Sequence, residues 1–309
     1  MVDIKKIQKE KPIEDLINFS IINVDKCSGP TSFGVDIIVK KSLGLNKTSH
    51  AGTLDPKVTG VLPVMLGRAC KLLGYFMGHN KTYVGIMRLH KEIDEKKLKE
   101  EMQKFVGKIK QTPPVRSRVA RREREREVFS WDILEIDNAR KPKVSGATES
   151  QDVPSHEQHE DSVGRDVLFE TEVEAGTYIR KLISDLGEVI GGAHMLELRR
   201  TKAGIFEEKD IVNLYDVEKA VKLWKEKNDE SLLREILVPG EIISKILPVV
   251  EINEKNLKKL WTGKPLFKED VVGELEEDKF VGFIGDRFVG VYRKVKEGGI
   301  IARPEFVFN

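Results

Sequence analysis

The chain has 309 residues, 34% of them charged and 39% hydrophobic, so it can bury one large core or two smaller ones. Its formal net charge of +2 is too small to indicate a nucleic-acid partner by itself. The two cysteines, Cys27 and Cys70, have no partner at zinc-ligand spacing, and no apolar run approaches the ~20 residues that span a bilayer. These features predict a reduced, intracellular compartment, no membrane partner and no bound metal.

Apolar periodicity and turn signals alternate along the first three quarters of the chain. Residues 1–12 are polar and Lys-rich, which predicts an extension that is mobile unless it docks on something. Strands are predicted at 17–24, 61–66, 81–87, 128–136, 166–173 and 194–200, and helices at about 32–43, 68–76, 94–105, 177–190 and within 213–237. Past Pro239 the strands become short and Gly-punctuated, so we predict a first domain over 1–238 and a small β-rich domain over 239–309.

A polar segment interrupts the predicted strands of the first domain at residues 138–164. It contains almost no large apolar side chains and many Ser, Glu, Asp and Gln residues. Such a segment cannot bury enough surface to offset its ordering entropy, so we predict a disordered insertion. No chemistry is assigned to the two histidines within it, His156 and His159.

The loop at residues 50–56 (HAGTLDP) presents a carboxylate between a predicted helix and a predicted strand. Gly52 allows close backbone approach, and Pro56 restricts the path of the chain around Asp55. A carboxylate on such a loop is well placed to meet a ligand. The structural alternative is that Asp55 forms a turn or caps the next element, as Asp before Pro commonly does. His50 has no other His, Cys or acidic cluster at ligand spacing, which argues against a metal.

Three further features are candidates for ligand contact. Tyr83 lies on a predicted strand, where an aromatic residue more often belongs to the core. Arg180 lies at a predicted helix start, where a lone arginine is more often a solvated surface residue. An arginine run follows two prolines and predicts either a salt-bridged strand face or a phosphate-contacting ribbon. Its members are Arg116, Arg118, Arg121, Arg122, Arg124 and Arg126.

Four motifs follow one another in a characteristic order and spacing. They are HAGTLDPxxTGVL at 50–62, KTY at 81–83, GTYIR at 176–180 and GAHxxxLRR at 192–200. As a set they resemble the TruB-type pseudouridine synthases. More narrowly they are similar to the archaeal and eukaryotic, dyskerin-like branch, whose members are catalytic subunits of box H/ACA guide ribonucleoproteins. The resemblance covers about residues 19–200 and continues into a region similar to a PUA domain.

The resemblance implies an α+β fold, with a mixed, mostly antiparallel central sheet flanked by helices and a small C-terminal β-barrel-like PUA domain. It implies that Asp55 is the catalytic aspartate and that Arg180 pairs with it. It also implies that Tyr83 stacks on the target base and deprotonates the rearranged ring, and that Leu198 packs against the flipped base. The remaining implied active-site positions are Lys26, Tyr178 and His50, the last helping to extrude the nucleotide.

The implied activity is the isomerisation of uridine to pseudouridine, without a cofactor. The expected substrates are rRNA, selected by an H/ACA guide RNA, and the TΨC loop of tRNA. The expected partners are the guide RNA, the substrate RNA and small H/ACA ribonucleoprotein proteins, including a kink-turn-binding protein. The chain passes from His90 almost directly into the next helix, without the longer segment of bacterial members, which favours guide dependence. The lack of a long Lys/Glu-rich tail predicts an archaeal, cytoplasmic protein; a eukaryotic one would be nucleolar.

Two other functions compete with this interpretation. The first is a non-catalytic RNA-binding scaffold, in which the motifs serve folding or docking. The second is aspartyl-phosphate chemistry at Asp55, which is disfavoured because no acidic cluster that would bind Mg²⁺ accompanies it in the sequence.

Overall fold

A computed structural model of the chain describes residues 2–113, 120–137, 164–256 and 260–308. The chain divides into two compact units. The first comprises Met1–Pro56, Gly60–Gly78 and Gly204–Asn309, and the second comprises Lys57–Thr59 and His79–Ala203. The predicted insertion at 138–164 lies outside the described residues except for Gly164, and so do Arg116 and Arg118.

The helices and strands follow one another along the chain in three groups. The elements that precede Lys81 are α1 (Ile4–Glu10), α2 (Ile13–Asn18), β1 (Ser20–Lys26), α3 (Ser32–Leu43), β2 (Thr48–His50), β3 (Thr59–Leu66) and α4 (Leu73–Met77). Those that follow are β4 (Lys81–Leu89), α5 (Glu95–Gln103), β5 (Gly107–Gln111), β6 (Arg124–Ile136), β7 (Arg165–Val173), α6 (Ile179–Ile190) and β8 (Ala193–Ala203). The last are β9 (Phe206–Glu207), α7 (Leu214–Lys227), α8 (Ser231–Ile236), β10 (Val238–Pro239), β11 (Val249–Glu251), β12 (Leu266–Phe267), β13 (Lys279–Ile284), β14 (Arg287–Glu297) and β15 (Ile300–Val307). Short 3-10 helices occur at Gly67–Leu72, Glu208–Asp210, Gly240–Lys245, Glu254–Asn256 and Lys268–Asp270.

In the first unit, β1 pairs antiparallel with β3 and β10, and β2 pairs antiparallel with β3. The helix between β1 and β2 begins and ends as its sequence predicts. Thr31 accepts a hydrogen bond from the Gly34 backbone N–H at the start of α3, and Gly44 adopts the left-handed conformation after its end. This helix lies beside β2 and the loop that carries Asp55, so its start and end determine where that loop is anchored.

The predicted strand at 17–24 is correct only from Ser20 onwards, because Ile17 belongs to α2. Pro12 precedes that helix, and Glu14 and Asp15 in its first turn favour a helix N-terminus. The preceding polar segment docks on the same unit. Arg234 Nη1 donates hydrogen bonds to the backbone oxygens of Gln8 (2.9 Å) and Lys11 (2.8 Å).

In the second unit, the strands pair antiparallel in the order β8-β4-β7-β6-β5. Side chains of β4 alternate between buried and half-buried along its whole length, as the period-2 pattern of its sequence predicts. The core of this unit includes Trp131 and Phe169, whose rings meet edge to face at a centroid distance of 6.2 Å. This sheet carries Tyr83 on β4 and Leu198 on β8.

A separate five-stranded sheet, in the order β11-β13-β14-β15-β12, lies within residues 239–309. Its core cluster includes Phe280, Tyr292 and Leu266. Within the first unit it packs on Phe19, which is fully buried and whose ring lies 4.3 Å from that of Phe308. The predicted α+β class, with a large, mainly antiparallel sheet flanked by helices and a curled C-terminal sheet, is confirmed. No helix of the described residues is long and apolar enough to cross a membrane.

Candidate active site

The loop between β2 and β3 carries Asp55, whose side chain is exposed. Its position depends on Leu54, which is buried. The Ser32 hydroxyl accepts a hydrogen bond from the Leu54 N–H (2.8 Å) and donates one to the Leu54 carbonyl oxygen (3.0 Å). Ser32 is itself only 1% exposed, at the start of α3. Because one buried hydroxyl binds both backbone groups of Leu54, the residue immediately before Asp55 has a fixed orientation.

Lys26 anchors the other side of the same loop. Its side chain is fully buried, and Nζ donates hydrogen bonds to the carbonyl oxygens of Cys27 and Pro56, both at 2.9 Å. The Gly29 N–H also donates to the Pro56 oxygen, at 3.0 Å. Burial lowers the pKa of Lys26, and electrostatic interactions with Cys27 and Asp55 oppose that shift. Lys26, which the resemblance implies to line the site, thus contributes to holding Asp55 in place.

His50 ends β2 and is held through both ring nitrogens. Nδ1 lies 2.7 Å from Oδ2 of Asp36, and Nε2 lies 3.0 Å from the hydroxyl of Thr53. Asp36 belongs to α3. His50 is therefore a third anchor of the loop that carries Asp55, after Ser32 and Lys26.

Ser32→Ala is expected to lower turnover by about 10–100-fold, because a small displacement of a reacting group is costly in rate. The substitution leaves both backbone groups of Leu54 without their buried partner. Single-turnover rates at saturating RNA measure the effect. Thr31→Ala is the matched control: it removes the hydroxyl that caps the same helix, at a cost of about 1 kcal/mol of stability, and should leave the rate near that of the wild type. Equal rates for the two variants would contradict the anchoring role of Ser32.

In the second unit, strand pairing places Tyr83 and Leu198 on one face. Gly85 pairs with Leu198, and Tyr83 pairs with Arg200, so Leu198 is a diagonal neighbour of Tyr83. Tyr83 is 9% exposed and Leu198 7%. A Cβ on Gly85 would lie 2.8 Å from Leu198 Cδ1 and 2.7 Å from Phe169 Cζ, so only glycine leaves room for Leu198 here. The two residues implied to hold the flipped base therefore share one surface.

Tyr178 and Arg180 lie at the start of α6, where the backbone is held by a buried amide. Gln111 Oε1 accepts a hydrogen bond from the Tyr178 N–H (3.0 Å), and its Nε2 donates one to the Tyr178 oxygen (3.3 Å). Gln111 is 2% exposed and ends β5. Ile179 anchors the helix in the core, while the Arg180 side chain is exposed. The interaction with Gln111 thus fixes the direction from which Arg180 projects.

Lys81 lies on the same face of β4 as Tyr83 and is 6% exposed. Burial, and secondarily the charge of Arg200, lower its pKa to about 8. Arg200 itself is 1% exposed, so it is a buried part of this unit. A buried amine with a lowered pKa, two residues before Tyr83 on the same strand face, is a feature that the sequence interpretation did not single out.

Four members of the arginine run lie within the described residues. Arg121 and Arg122 are exposed ahead of β6, whereas Arg124 and Arg126 are half-buried on it. The acidic residues between them pair with lysines of β5 rather than with the arginines. These ion pairs are Lys108–Glu125 at 2.9 Å and Lys110–Glu123 at 3.4 Å. The salt-bridged strand face is therefore present, whereas phosphate contact by the arginines stays a prediction.

Comparison with known proteins decides the family. A sequence profile described as TruB family pseudouridylate synthase (N terminal domain) matches residues 40–179, and one described as tRNA pseudouridylate synthase B C-terminal domain matches residues 180–244. The chain belongs to the TruB family of pseudouridine synthases. This membership confirms the predicted enzyme class, an RNA isomerase.

Curated relatives of this TruB-family protein are similar along most of its length. It is 42% identical over 265 residues to the probable tRNA pseudouridine synthase B of Methanopyrus kandleri, covering 85% of this chain and 71% of that protein. It is 36% identical over 316 residues to the protein of the same name in Pyrobaculum islandicum, covering 98% and 88%.

Solved structures give the same result. A chain in the crystal structure of a Cbf5-Nop10-Gar1 complex matches with a TM-score of 0.80 and 36% identity, covering 98% of this chain and 88% of that one. A chain in the structure of an H/ACA RNP bound to a substrate RNA containing 2'-deoxyuridine matches with a TM-score of 0.78 and 34% identity, covering 98% and 89%.

The predicted site residues of this pseudouridine synthase divide between the two units, with Lys26, His50 and Asp55 in the first and Tyr83, Tyr178, Arg180 and Leu198 in the second. Sequence interpretation missed the residues that hold them, namely Ser32, Asp36, Gly85 and Gln111. Gly85 had a usable signal, because a glycine inside a strand often marks a close approach. Within the described ranges, no group of three or more His, Cys, Asp or Glu residues is arranged to hold a metal ion.

Proposed function

We propose that this TruB-family enzyme isomerises uridine in rRNA at positions selected by an H/ACA guide RNA, and also uridine in the TΨC loop of tRNA. The observation that carries the guided activity is the match over 98% of the chain to a chain in the structure of an H/ACA RNP bound to a substrate RNA, at a TM-score of 0.78. The names of the curated relatives, probable tRNA pseudouridine synthase B, support the tRNA activity.

Asp55 is the proposed catalytic carboxylate. Pseudouridine formation breaks the glycosidic bond, turns the freed base and rejoins it through carbon, with no net redox change. A carboxylate serves this chemistry either by attacking the base or sugar or by removing a sugar proton. The anchored backbone on both sides of Asp55, at Leu54 and Pro56, supports this assignment, because a group that reacts needs a fixed position.

The other site residues have proposed roles around the base. Tyr83 stacks on the extruded uracil and deprotonates the rearranged ring, and Leu198 packs against the same base. Arg180 pairs with the Asp55 carboxylate and compensates its negative charge when RNA excludes water. Lys26, Tyr178 and His50 line the site. Base–aromatic stacking of ~1–3 kcal/mol offsets much of the cost of extruding the nucleotide.

The proposed partners are the guide RNA, the substrate RNA and small H/ACA ribonucleoprotein proteins, including a kink-turn-binding protein, in the cytoplasm of an archaeon. We assign residues 239–309 to a PUA-like RNA-binding domain that follows a catalytic domain over 1–238. The C-terminal sheet has a core cluster of its own, which includes Phe280 and Tyr292 and supports this division, while the sheet also packs on Phe19 of the same compact unit.

Pseudouridine mapping in defined RNAs tests the proposed function. The full chain is assembled with H/ACA proteins and incubated with rRNA and tRNA substrates, with and without a guide that pairs with the rRNA. The expected result is modification of the rRNA uridine only with its guide, and of the tRNA uridine in both conditions. RNA binding without modification of either substrate would favour a non-catalytic scaffold.

Charge reversal at two exposed arginines is expected to weaken RNA binding. Arg121→Glu with Arg122→Glu should flatten the dependence of log K on log salt by about one unit for each phosphate group that the variant no longer binds. Filter binding over a salt series measures the slope. Lys219→Glu with Lys222→Glu reverses two exposed charges on α7 and is the matched control, with the wild-type slope expected. An unchanged slope in the arginine variant would mean that these side chains form only a solvated face.

A further inference from the structure

A buried carboxylate lies beside the loop that carries Asp55. Asp36 is 5% exposed, and its Oδ2 lies 2.7 Å from His50 Nδ1. Its second oxygen, Oδ1, is buried without a hydrogen-bond partner among the groups that the structure describes. A buried carboxylate with one unsatisfied oxygen is costly, and an apolar residue would pack α3 at lower cost. The presence of Asp36 is therefore explained by its effect on His50.

Asp36 determines which nitrogen of His50 carries the proton. A carboxylate only accepts hydrogen bonds, so Nδ1–H of His50 is the donor in this contact. In the tautomer with the proton on Nδ1, Nε2 is an acceptor, and it lies 3.0 Å from the hydroxyl of Thr53, which is positioned to donate to it. The tautomer follows from the hydrogen-bond partners of the two nitrogens, as for other buried histidines. Because both ring nitrogens have a hydrogen-bond partner, the His50 ring has a single orientation.

The contacts of Asp36 reach the loop that carries Asp55. Thr53, which binds the far side of the His50 ring, lies two residues before Asp55. Thr48, on the same strand as His50, donates its hydroxyl to the backbone oxygen of Asp36 at 3.0 Å. Two side-chain hydrogen bonds among the described residues therefore join β2 to α3, and only one of them involves the Asp36 side chain.

The surroundings of Asp36 strengthen its electrostatic effect. The buried thiol of Cys70 is nearby, and burial raises its pKa; the Ser49 hydroxyl and the charge of Lys47 oppose the rise, and the charge of Asp36 adds to it. Asp36 thus acts as a charge in a poorly solvated region, where interactions with charged and polar groups are stronger than at the surface.

We propose that Asp36 is a positioning residue for the isomerisation and that it acts through His50, by fixing the orientation and tautomer with which this ring meets the extruded nucleotide. The inference rests on the proposed function, because His50 has a nucleotide to meet only in a working pseudouridine synthase. It places a functional carboxylate inside α3, outside every motif of the sequence. It also distinguishes turnover from RNA binding: turnover depends on Asp36, whereas the affinity for RNA does not.

A double-mutant cycle tests the coupling. Asp36→Leu, His50→Ala and the double variant are assembled as full chains with guide RNA and partner proteins, and single-turnover tritium release from 5-tritiated uridine is measured at saturating RNA. Each single variant is expected to be about 10–100-fold slower than the wild type, with unchanged RNA affinity. The double variant should be no slower than His50→Ala, because Asp36 acts through His50. The proposal is wrong if the rate losses of the two single variants multiply in the double variant, or if Asp36→Leu turns over at the wild-type rate.

Three measurements separate positioning from structural support. Asp36→Leu removes a buried charge but leaves Nδ1–H of His50 without its acceptor, so the two effects oppose each other and its unfolding temperature should stay within a few degrees of that of the wild type. Asp36→Asn keeps an acceptor for Nδ1–H and should recover most of the rate. Thr48→Val removes the hydrogen bond from the Thr48 hydroxyl to the Asp36 backbone oxygen, which also joins β2 to α3, and should keep the wild-type rate. If Thr48→Val slows turnover as much as Asp36→Leu, anchoring of β2 is the role of this region and the proposal is wrong.

Nitrogen-15 chemical shifts of the His50 ring in the full chain report the tautomer without any reaction. Protonation at Nδ1 is expected in the wild type and in Asp36→Asn, with a mixture of tautomers in Asp36→Leu. Protonation at Nε2 in the wild type would overturn the proposal even if the variants fail to fold. A wild-type chain with the expected tautomer that forms no pseudouridine contradicts the proposed function, whereas an active wild type with an equally active Asp36→Leu variant contradicts this inference alone.

Discussion

Asp55→Asn is expected to abolish pseudouridine formation, lowering the rate by at least ~10³-fold, as the loss of a group that reacts with the substrate commonly does. The amide has nearly the same shape as the carboxylate but neither attacks carbon nor accepts a proton at neutral pH. The anchors at Leu54 and Pro56 involve backbone groups, so the loop should keep its conformation. Tritium release from 5-tritiated uridine measures the rate, and filter binding measures the affinity for RNA.

Asp15→Asn is the matched control for this experiment. It makes the same chemical change at an exposed position of α2 in the same unit, and it should leave the rate unchanged. Retained guide-RNA binding by Asp55→Asn, together with abolished turnover, would locate the defect in chemistry. Turnover by Asp55→Asn at the wild-type rate would exclude the proposed mechanism and leave Asp55 as a turn residue of the β2–β3 loop.

Tyr83→Phe is expected to lower turnover by about 10²–10⁴-fold, the usual contribution of a positioned acid–base group. The phenyl ring keeps the stacking surface beside Leu198, so RNA affinity should remain that of the wild type. Tyr83→Ala should lose the stacking as well, at ~1–3 kcal/mol of binding free energy. Single-turnover rates and binding isotherms, measured on the same preparations, distinguish the hydroxyl from the ring.

Tyr215→Phe is the control for the loss of a phenolic hydroxyl. Tyr215 is 83% exposed on α7, so its variant should match the wild type in both rate and affinity. If Tyr83→Phe is also as fast as the wild type, the hydroxyl takes no part in the reaction, and Tyr83 acts through its ring alone. If it unfolds at a markedly lower temperature, the tyrosine is primarily a core residue, which is the structural interpretation of an aromatic residue on a strand.

Local sequence was sufficient to predict elements whose determinants lie close together in the chain. α3 begins directly after its cap residue Thr31 and ends before Gly44, as the capping rules require, because the cap side chain and the first-turn N–H it binds are neighbours in sequence. β4 alternates between buried and half-buried residues because a strand turns each successive side chain to the opposite face. Ile17 was assigned to a strand wrongly, since a short apolar run fits a helix equally well.

The interactions that hold the candidate site could not be predicted from sequence, because they join distant residues. Ser32 meets Leu54 across 22 positions, Lys26 meets Pro56 across 30, and Gln111 meets Tyr178 across 67. No local sequence pattern identifies the partner of these side chains. Each of them binds a backbone group, and every residue has backbone groups that can form hydrogen bonds.

The amino-acid sequence alone predicted the family and the α+β class, both of which are confirmed, and it named the candidate site residues, through four motifs whose order and spacing are specific as a set. The tertiary structure decided how those groups are held: the backbone of the loop that carries Asp55 between α3 and Lys26, the start of α6 on Gln111, and His50 on Asp36. The physical reason is that residue types carry chemistry, whereas the orientation of a reacting group depends on buried hydrogen bonds that form only when the chain has folded.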